Sequence, residues 1–385
     1  MKNSKDYTLE IIRRTSLSST DLAGICADIP IDSHYTSEIV AFNDYYGNAE
    51  QLKRFLNIPS HYPLKAAMQH GNQYGEAYWD EEIKETLPVS LAWGEHICSI
   101  WKKHTSKEIY KVGAPFFYTQ SLLSEEGIKS ERARLGKNLL VFPAHSMHNS
   151  TVSFDMESWI DNIRLYSKGF DSVRICIYWK DYILGRHKKY LEAGYECVSA
   201  GHIFDYNFLP RLRSLIEVSD ATMSNRIGSF IGYSVFLEKP HRYIDQCMDI
   251  ADNSIGRVKE EEAEWRGDPG VQKIFKAFSD NDNFQITPDQ LDALEPYFGF
   301  SEIKSKSEFL EIVNASELLY QEKEEKNRAW IFGGKIISQE DLPTKIKAAI
   351  KAIPKWAWLA LPKSIRCRMI EMHHGVCKLI QRLVN

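Results

Sequence analysis

Between residues 139 and 245, apolar runs alternate with stretches of helical spacing, and the alternation repeats four times. Leu139-Leu140-Val141-Phe142-Pro143-Ala144-His145-Ser146 is an apolar run closing on small polar residues, and residues 155–167 then recur with helical spacing. Residues 173–179 are again apolar and β-branched, close on Lys180-Asp181, and lead into a helical stretch that stops at Gly194. Residues 195–199 end at Ala200-Gly201-His202, residues 208–218 are amphipathic, Ala221-Thr222-Met223 is a short apolar run, and a further helix starts near Arg226. Strands alternating with helices in this way predict an α/β fold around a parallel sheet. A smaller series precedes it. Residues 38–42 read as a strand, 49–56 as a helix, 64–68 and 89–93 as further strands, and 110–112 as a fourth strand that closes at Gly113-Ala114-Pro115.

In a parallel sheet of Rossmann type, ligands bind beyond the carboxyl ends of the strands, where the crossovers change direction. The polar residues fall there. In the second series His145 and Ser146 follow the first strand, Lys180 and Asp181 the second, Gly201 and His202 the third, and Ser224-Asn225-Arg226-Ile227-Gly228-Ser229 the fourth. A strand that stops at Ser-Asn and opens a helix through Gly-Ser presents backbone N–H groups and hydroxyls at a positive helix end, which suits a phosphate. Ser, Asn and Gly also cap many helices that bind nothing. In the first series Asp44, His70 and Glu95 stand at strand ends and Glu76 follows His70 closely, so an exposed histidine has carboxylates around it.

Composition narrows the class. At 385 residues, with 43% hydrophobic, 12% aromatic and 26% charged residues, the chain is folded and long enough for more than one domain. A net charge of -4 argues against nucleic acid as the main partner. The seven cysteines are scattered, mostly inside apolar runs, as reduced thiols of a cytoplasmic protein would be. The first residues lack the apolar core of a secretion signal.

Several short motifs carry a resemblance. Gln69-His70-Gly71, Trp93-Gly94-Glu95, Val112-Gly113-Ala114-Pro115, the run from Ser224 through Gly228-Ser229 to Gly232-Tyr233, and Glu238-Lys239-Pro240 together resemble GT-B glycosyltransferases over roughly residues 38–245. Within that group the chain looks most like enzymes of bacterial surface polysaccharides: capsule and lipopolysaccharide Kdo transferases, sialyltransferase-like enzymes and polyglycerol-phosphate transferases. The resemblance implies a Rossmann-like acceptor domain (1–120), a linker (121–137) and a Rossmann-like nucleotide-sugar domain (138–255), the two domains facing a cleft. It implies transfer of a sugar, such as Kdo or another ulosonic acid from a CMP-sugar, to a glycan or lipid-linked acceptor. Ser224, Asn225, Gly228 and Ser229 would hold the donor phosphate, with His145, Ser146, Asp181 and His202 around it. His70, with Glu76, Glu95 and Asp44 as carboxylate alternatives, would take the acceptor proton. A GT-B-like sugar epimerase and a noncatalytic scaffold of a polysaccharide assembly are the alternatives.

No cofactor is expected beyond the donor itself, and no metal. Asp280-Asn281-Asp282 has the Asp-x-Asp spacing of metal-dependent transferases but lies outside both α/β series. Cys367, His373, His374 and Cys377 match no common zinc spacing. Residues 256–341 are charged and helical, and are expected to pack beside the second sheet. Residues 342–385 carry nine basic side chains against one acid, Glu371, with Trp356 and Trp358 among them. Such a tail suits an anionic membrane surface. The expectation is a peripheral protein at the cytoplasmic face of the inner membrane.

Overall fold

The computed structural model describes residues 13–14, 16–29, 36–84, 86–147, 150–252, 266–279 and 284–331, with side chains to 325. Met1–Glu317 form one compact unit and Leu318–Asn385 another. The basic tail, Asp280-Asn281-Asp282 and the Cys367 to Cys377 group lie outside the described residues. No described helix is long and apolar enough to cross a membrane.

The first unit is mixed α/β and contains two parallel sheets. The smaller is β1 (Ala66–Met68), β2 (Val89–Ala92) and β3 (Glu108–Lys111), in that order across the sheet. Then follow β4 (Asn138–Phe142), β5 (Ser150–Ser153), β6 (Ser172–Cys176), β7 (Glu196–Val198), β8 (Ala221–Ser224), β9 (His241–Tyr243) and β10 (Asp249–Asp252). The larger sheet runs β7-β6-β4-β8-β9, all parallel, while β5 and β10 pair antiparallel beside it. Counted within the sheet, that order is 3-2-1-4-5, so the crossovers reverse direction between β4 and β8.

Every residue of β4 is buried, because the strand is covered on both faces. Leu139 and Val141 point to Trp159, Ile160 and Ile163 of the helix Met156–Tyr166. Leu140 and Phe142 point the other way, into a cluster with Leu209, Leu212 and Ile216 of the helix Phe208–Val218 and Ile231 of the helix Ser229–Phe236. That second cluster also takes in Trp93 and Phe116 from the smaller half; the rings of Phe116 and Tyr233 stack at 4.1 Å. The two sheets therefore share a core.

Several features differ from the pattern in the sequence, which did not mark β5, β9 or β10 as strands. Residues 38–42 form no strand, because Glu38 turns its buried carboxylate to Lys53 at 2.6 Å and the chain enters a 3-10 turn, Ala41–Gly47. Asn43 then takes the place of a backbone partner for β1, donating Nδ2 to Ala66 O at 3.0 Å and accepting from Met68 N at 2.9 Å. The strand in 173–179 stops at Cys176 and Trp179–Ile183 is a short helix. The stretch 121–137 contains the helix Glu125–Leu135, capped by Ser124, and Ser214 on the helix Phe208–Val218 accepts from Leu122 N at 2.8 Å and Leu123 N at 3.1 Å. The helices Pro269–Ser279 and Pro288–Phe298 pack against both halves, not beside the second sheet alone. Phe298 lies in the shared core and accepts from Ala114 N at 3.1 Å. Two glycines permit that contact. A Cβ on Gly299, which has φ +63°, would sit 2.1 Å from Trp93 O, and one on Gly94 would sit 2.3 Å from Pro296 O.

Candidate active site

The carboxyl ends of β4 and β8 open at the point where the crossovers reverse. Asn225 holds them together: its Oδ1 accepts from Ala144 N at 2.6 Å and its Nδ2 donates to Gln246 Oε1 at 2.8 Å. Ser224 is equally committed, bonded to Arg226 O at 2.9 Å and to His241 Nε2 at 2.9 Å. Both are fully buried. Their side chains tie the strand ends to each other: the Ser224 hydroxyl proton is on Arg226 O, and Asn225 has one of its two amide N–H groups on Gln246. Gly228 and Ser229 are half-buried at the start of the helix Ser229–Phe236, whose first turn has no side-chain cap. The first N–H groups of such a helix lack intrahelical partners. Ser229 shares its hydroxyl with Tyr233.

His145, half-buried after β4, lies with its ring 4.4 Å from Tyr178. Burial pushes its pKa down, Asp181 pulls it back up and Arg226 adds to the depression. The free site therefore favours the neutral imidazole, and an arriving anion favours the charged one. Asp181 is buried, accepts from Ser146 N at 3.0 Å and pairs with Arg186 at 3.0 Å. Burial raises its pKa, against the pull of His145 and Arg186. Ser146 accepts from Val152 N at 3.1 Å and orders the start of β5. His202 is fully buried, 4.1 Å from Trp179 and with Nδ1 accepting from Phe204 N at 3.2 Å. Ser146, Asp181 and His202 thus hold the loops in shape.

At the end of the smaller sheet, Gln69 links the two motifs that follow β1 and β2. Its Oε1 accepts from Trp93 N at 2.7 Å, its carbonyl accepts from Trp93 Nε1 at 3.0 Å, and its Nε2 donates to Gly71 O at 2.9 Å. This fixes the backbone that carries His70. The imidazole lies among Phe42, Tyr45 and Trp79, ring centroids 5.6, 5.6 and 5.7 Å away. Its Nδ1 is 2.9 Å from Oε1 of Glu82, a buried carboxylate.

The other carboxylates expected near His70 have other partners. Glu76 is exposed and pairs with Lys103 at 3.0 Å; Glu95 pairs with Lys111 at 2.9 Å and accepts from Ser99 at 2.6 Å. Asp44 is buried, accepts from Thr36, and lies in the field of Glu38 and Lys53; burial lifts its pKa to about 6. Glu82 was not legible, since nothing in Asp80-Glu81-Glu82 marks the third acid as the buried one.

The turn Ala41–Gly47 connects the two strand ends. Tyr45 touches His70 on one side and Phe204 on the other, at 5.5 Å. Tyr46 donates its N–H to Ile203 O at 2.6 Å, shares a hydrogen bond with Tyr178, and has φ +59°, an outlier for a bulky side chain. From the smaller half, Tyr74 stands in the field of Arg226. His70 and His145 are thus joined through Tyr45, Tyr46 and Tyr178. Among the described residues no group of three or more His, Cys, Asp and Glu is gathered as metal ligands would be.

No family model and no curated protein matches this chain. Among solved structures, it is similar to S. aureus MnaA in a co-structure with UDP, at 10% identity and a TM-score of 0.34, over 80% of this chain and 78% of that one.

Proposed function

We propose that this chain is a glycosyltransferase of GT-B-like architecture that takes its sugar from a nucleotide-sugar donor and delivers it to a hydroxyl at His70. One observation carries the reading: strand ends of two parallel sheets meet at one aromatic turn, with His70 on one side and His145 and Arg226 on the other. A donor at the β4–β8 switch point has its phosphate near Arg226 and the uncapped start of the helix Ser229–Phe236. As the bond from the anomeric carbon to the phosphate oxygen breaks, its electron pair stays on the phosphate. Arg226 and a protonated His145 stabilise that charge. The acceptor oxygen bonds to the anomeric carbon and its proton passes to His70.

Incubation with CMP-, UDP-, GDP- and TDP-sugars, with and without glycan acceptors, tests the reading by nucleotide release. Acceptor-dependent release supports transfer. Sugar interconversion without release points to an epimerase, and a silent panel in which no nucleotide shifts the melting temperature points to a scaffold.

A further inference from the structure

We infer that Glu82 is the positioning residue of His70, forming with it a dyad that fixes the imidazole and stabilises its charged form during proton transfer; this rests on the transfer reading above. Glu82 is 0% exposed, yet no lysine or arginine contacts it among the described residues. Its Oε1 accepts from His70 N at 3.1 Å and its Oε2 from Gln73 Nε2 at 2.8 Å. Its backbone is held in turn, with Ser90 donating to Glu82 O at 2.7 Å. A buried carboxylate without a cation is costly. The group that can relieve that cost is the His70 ring, 2.9 Å away, and only once it has gained a proton.

The contact is at hydrogen-bond distance but off the direction of the ring N–H, so a rotation of the ring completes it. Such bonds often tighten only when substrate is present. The ring is reachable: the His70 side chain is 17% exposed, and Trp79 on the open side of the aromatic cup is 53% exposed.

A purely architectural role would not need the charge. Glutamine at this position would keep the acceptor for His70, and its new amide donor would be satisfied by turning Gln73, whose Oε1 has no partner in the present arrangement. Glu82→Gln therefore separates the two roles. In the dyad, proton transfer passes from the acceptor hydroxyl to Nε2 while Nδ1–H remains bonded to Glu82, so the positive charge forms beside the carboxylate.

The test has two arms. In the kinetic arm, with whichever donor the panel identifies, Glu82→Gln should lower kcat about 100-fold, leave the donor KM and the melting temperature unchanged, and add little to His70→Asn. Full kcat in Glu82→Gln, or a loss that follows the folded fraction, overturns the proposal. In the second arm, ring 15N shifts of His70, assigned by difference from His70→Asn, are read without any donor. The neutral wild-type ring should carry its proton on Nδ1, and Glu82→Ala, checked for folding by circular dichroism, should lose that preference. A wild-type ring with its proton on Nε2 overturns the dyad whatever the activity. A silent donor panel beside a held Nδ1–H tautomer removes the transfer reading and leaves the dyad geometry standing.

Discussion

The ends of the two parallel sheets carry similar polar residues and use them differently. At β8, Ser224 and Asn225 face inward, and their side chains bond to His241, Arg226 O, Ala144 N and Gln246. At β1, Gln69 does that joining work for Trp93 and Gly71, which leaves His70 beside an acid and an exposed aromatic ring. A polar residue at a strand end is thus a candidate for ligand binding only after its neighbours' hydrogen bonds are accounted for. By that measure the side chain proposed to react, His70, belongs to the smaller sheet, while the larger sheet offers Arg226 and the uncapped start of the helix Ser229–Phe236.

The strongest way to break this comparison is His70→Asn. Removing the proton acceptor should cut transfer by a factor on the order of 100 to 10,000 while nucleotide affinity stays within twofold, roughly 0.4 kcal/mol. Steady-state rates and nucleotide titration on the same preparation check it. Equal losses in both would move His70 into the donor site.

Asn225→Ala should do the opposite. It leaves the N–H of Ala144 without its acceptor in a buried place, so unfolding free energy should fall by about 2 to 3 kcal/mol. Urea denaturation measures this. A variant with unchanged stability and lost nucleotide binding would return Asn225 to the ligand.

How far the sequence reached follows the same division. Four strands of the larger sheet were legible as largely apolar runs, β4 most plainly because it is buried on both faces, whereas β9, His241-Arg242-Tyr243, has no such run and was not legible; the helices at 156–166 and 208–218 follow from their spacing. The turn Ala41–Gly47 was not, because Asn43 supplies through its side chain the pairing that a strand would give, and no period marks that substitution. His70 could be picked out by its place after an apolar run. Glu82 could not, since its burial depends on Gln73 and Ser90 arriving from elsewhere in the fold. The reach of Pro288–Phe298 across to Trp93 depends on two glycines distant in sequence.

The joining network at β8 also has a pH signature. Ser224 spends its proton on Arg226 O, so Nε2 of His241 must donate to Ser224 and Nδ1 accepts from Thr222 at 2.8 Å. The ring is neutral, and burial pushes its pKa from 6.5 down to about 3. The unfolded chain binds a proton on this group below about 6.5 and the folded chain does not until about 3. The stability it contributes is therefore complete above the upper value and is lost as pH falls through that window, at up to about 1.4 kcal/mol per unit. Comparing urea midpoints of wild type and His241→Phe across the window should show this slope missing in the variant. Parallel profiles would mean that His241 is protonated in the fold.

The smallest effect is expected at Ser229, and it sharpens the comparison most. Its hydroxyl already has a partner in Tyr233, whereas the backbone N–H groups around it lack a side-chain cap. If the larger sheet binds phosphate through backbone and Arg226, as its engaged side chains suggest, Ser229→Ala should weaken CMP or UDP by less than about fivefold, under 1 kcal/mol. Arg226→Ala should weaken them more, in keeping with the greater strength of charge-assisted bonds. Calorimetric titration of both variants ranks them. A loss beyond tenfold in Ser229→Ala, with Arg226→Ala near wild type, would mean that the hydroxyl leaves Tyr233 for the ligand, and the larger sheet would then recognise phosphate through the side chains its sequence first pointed to.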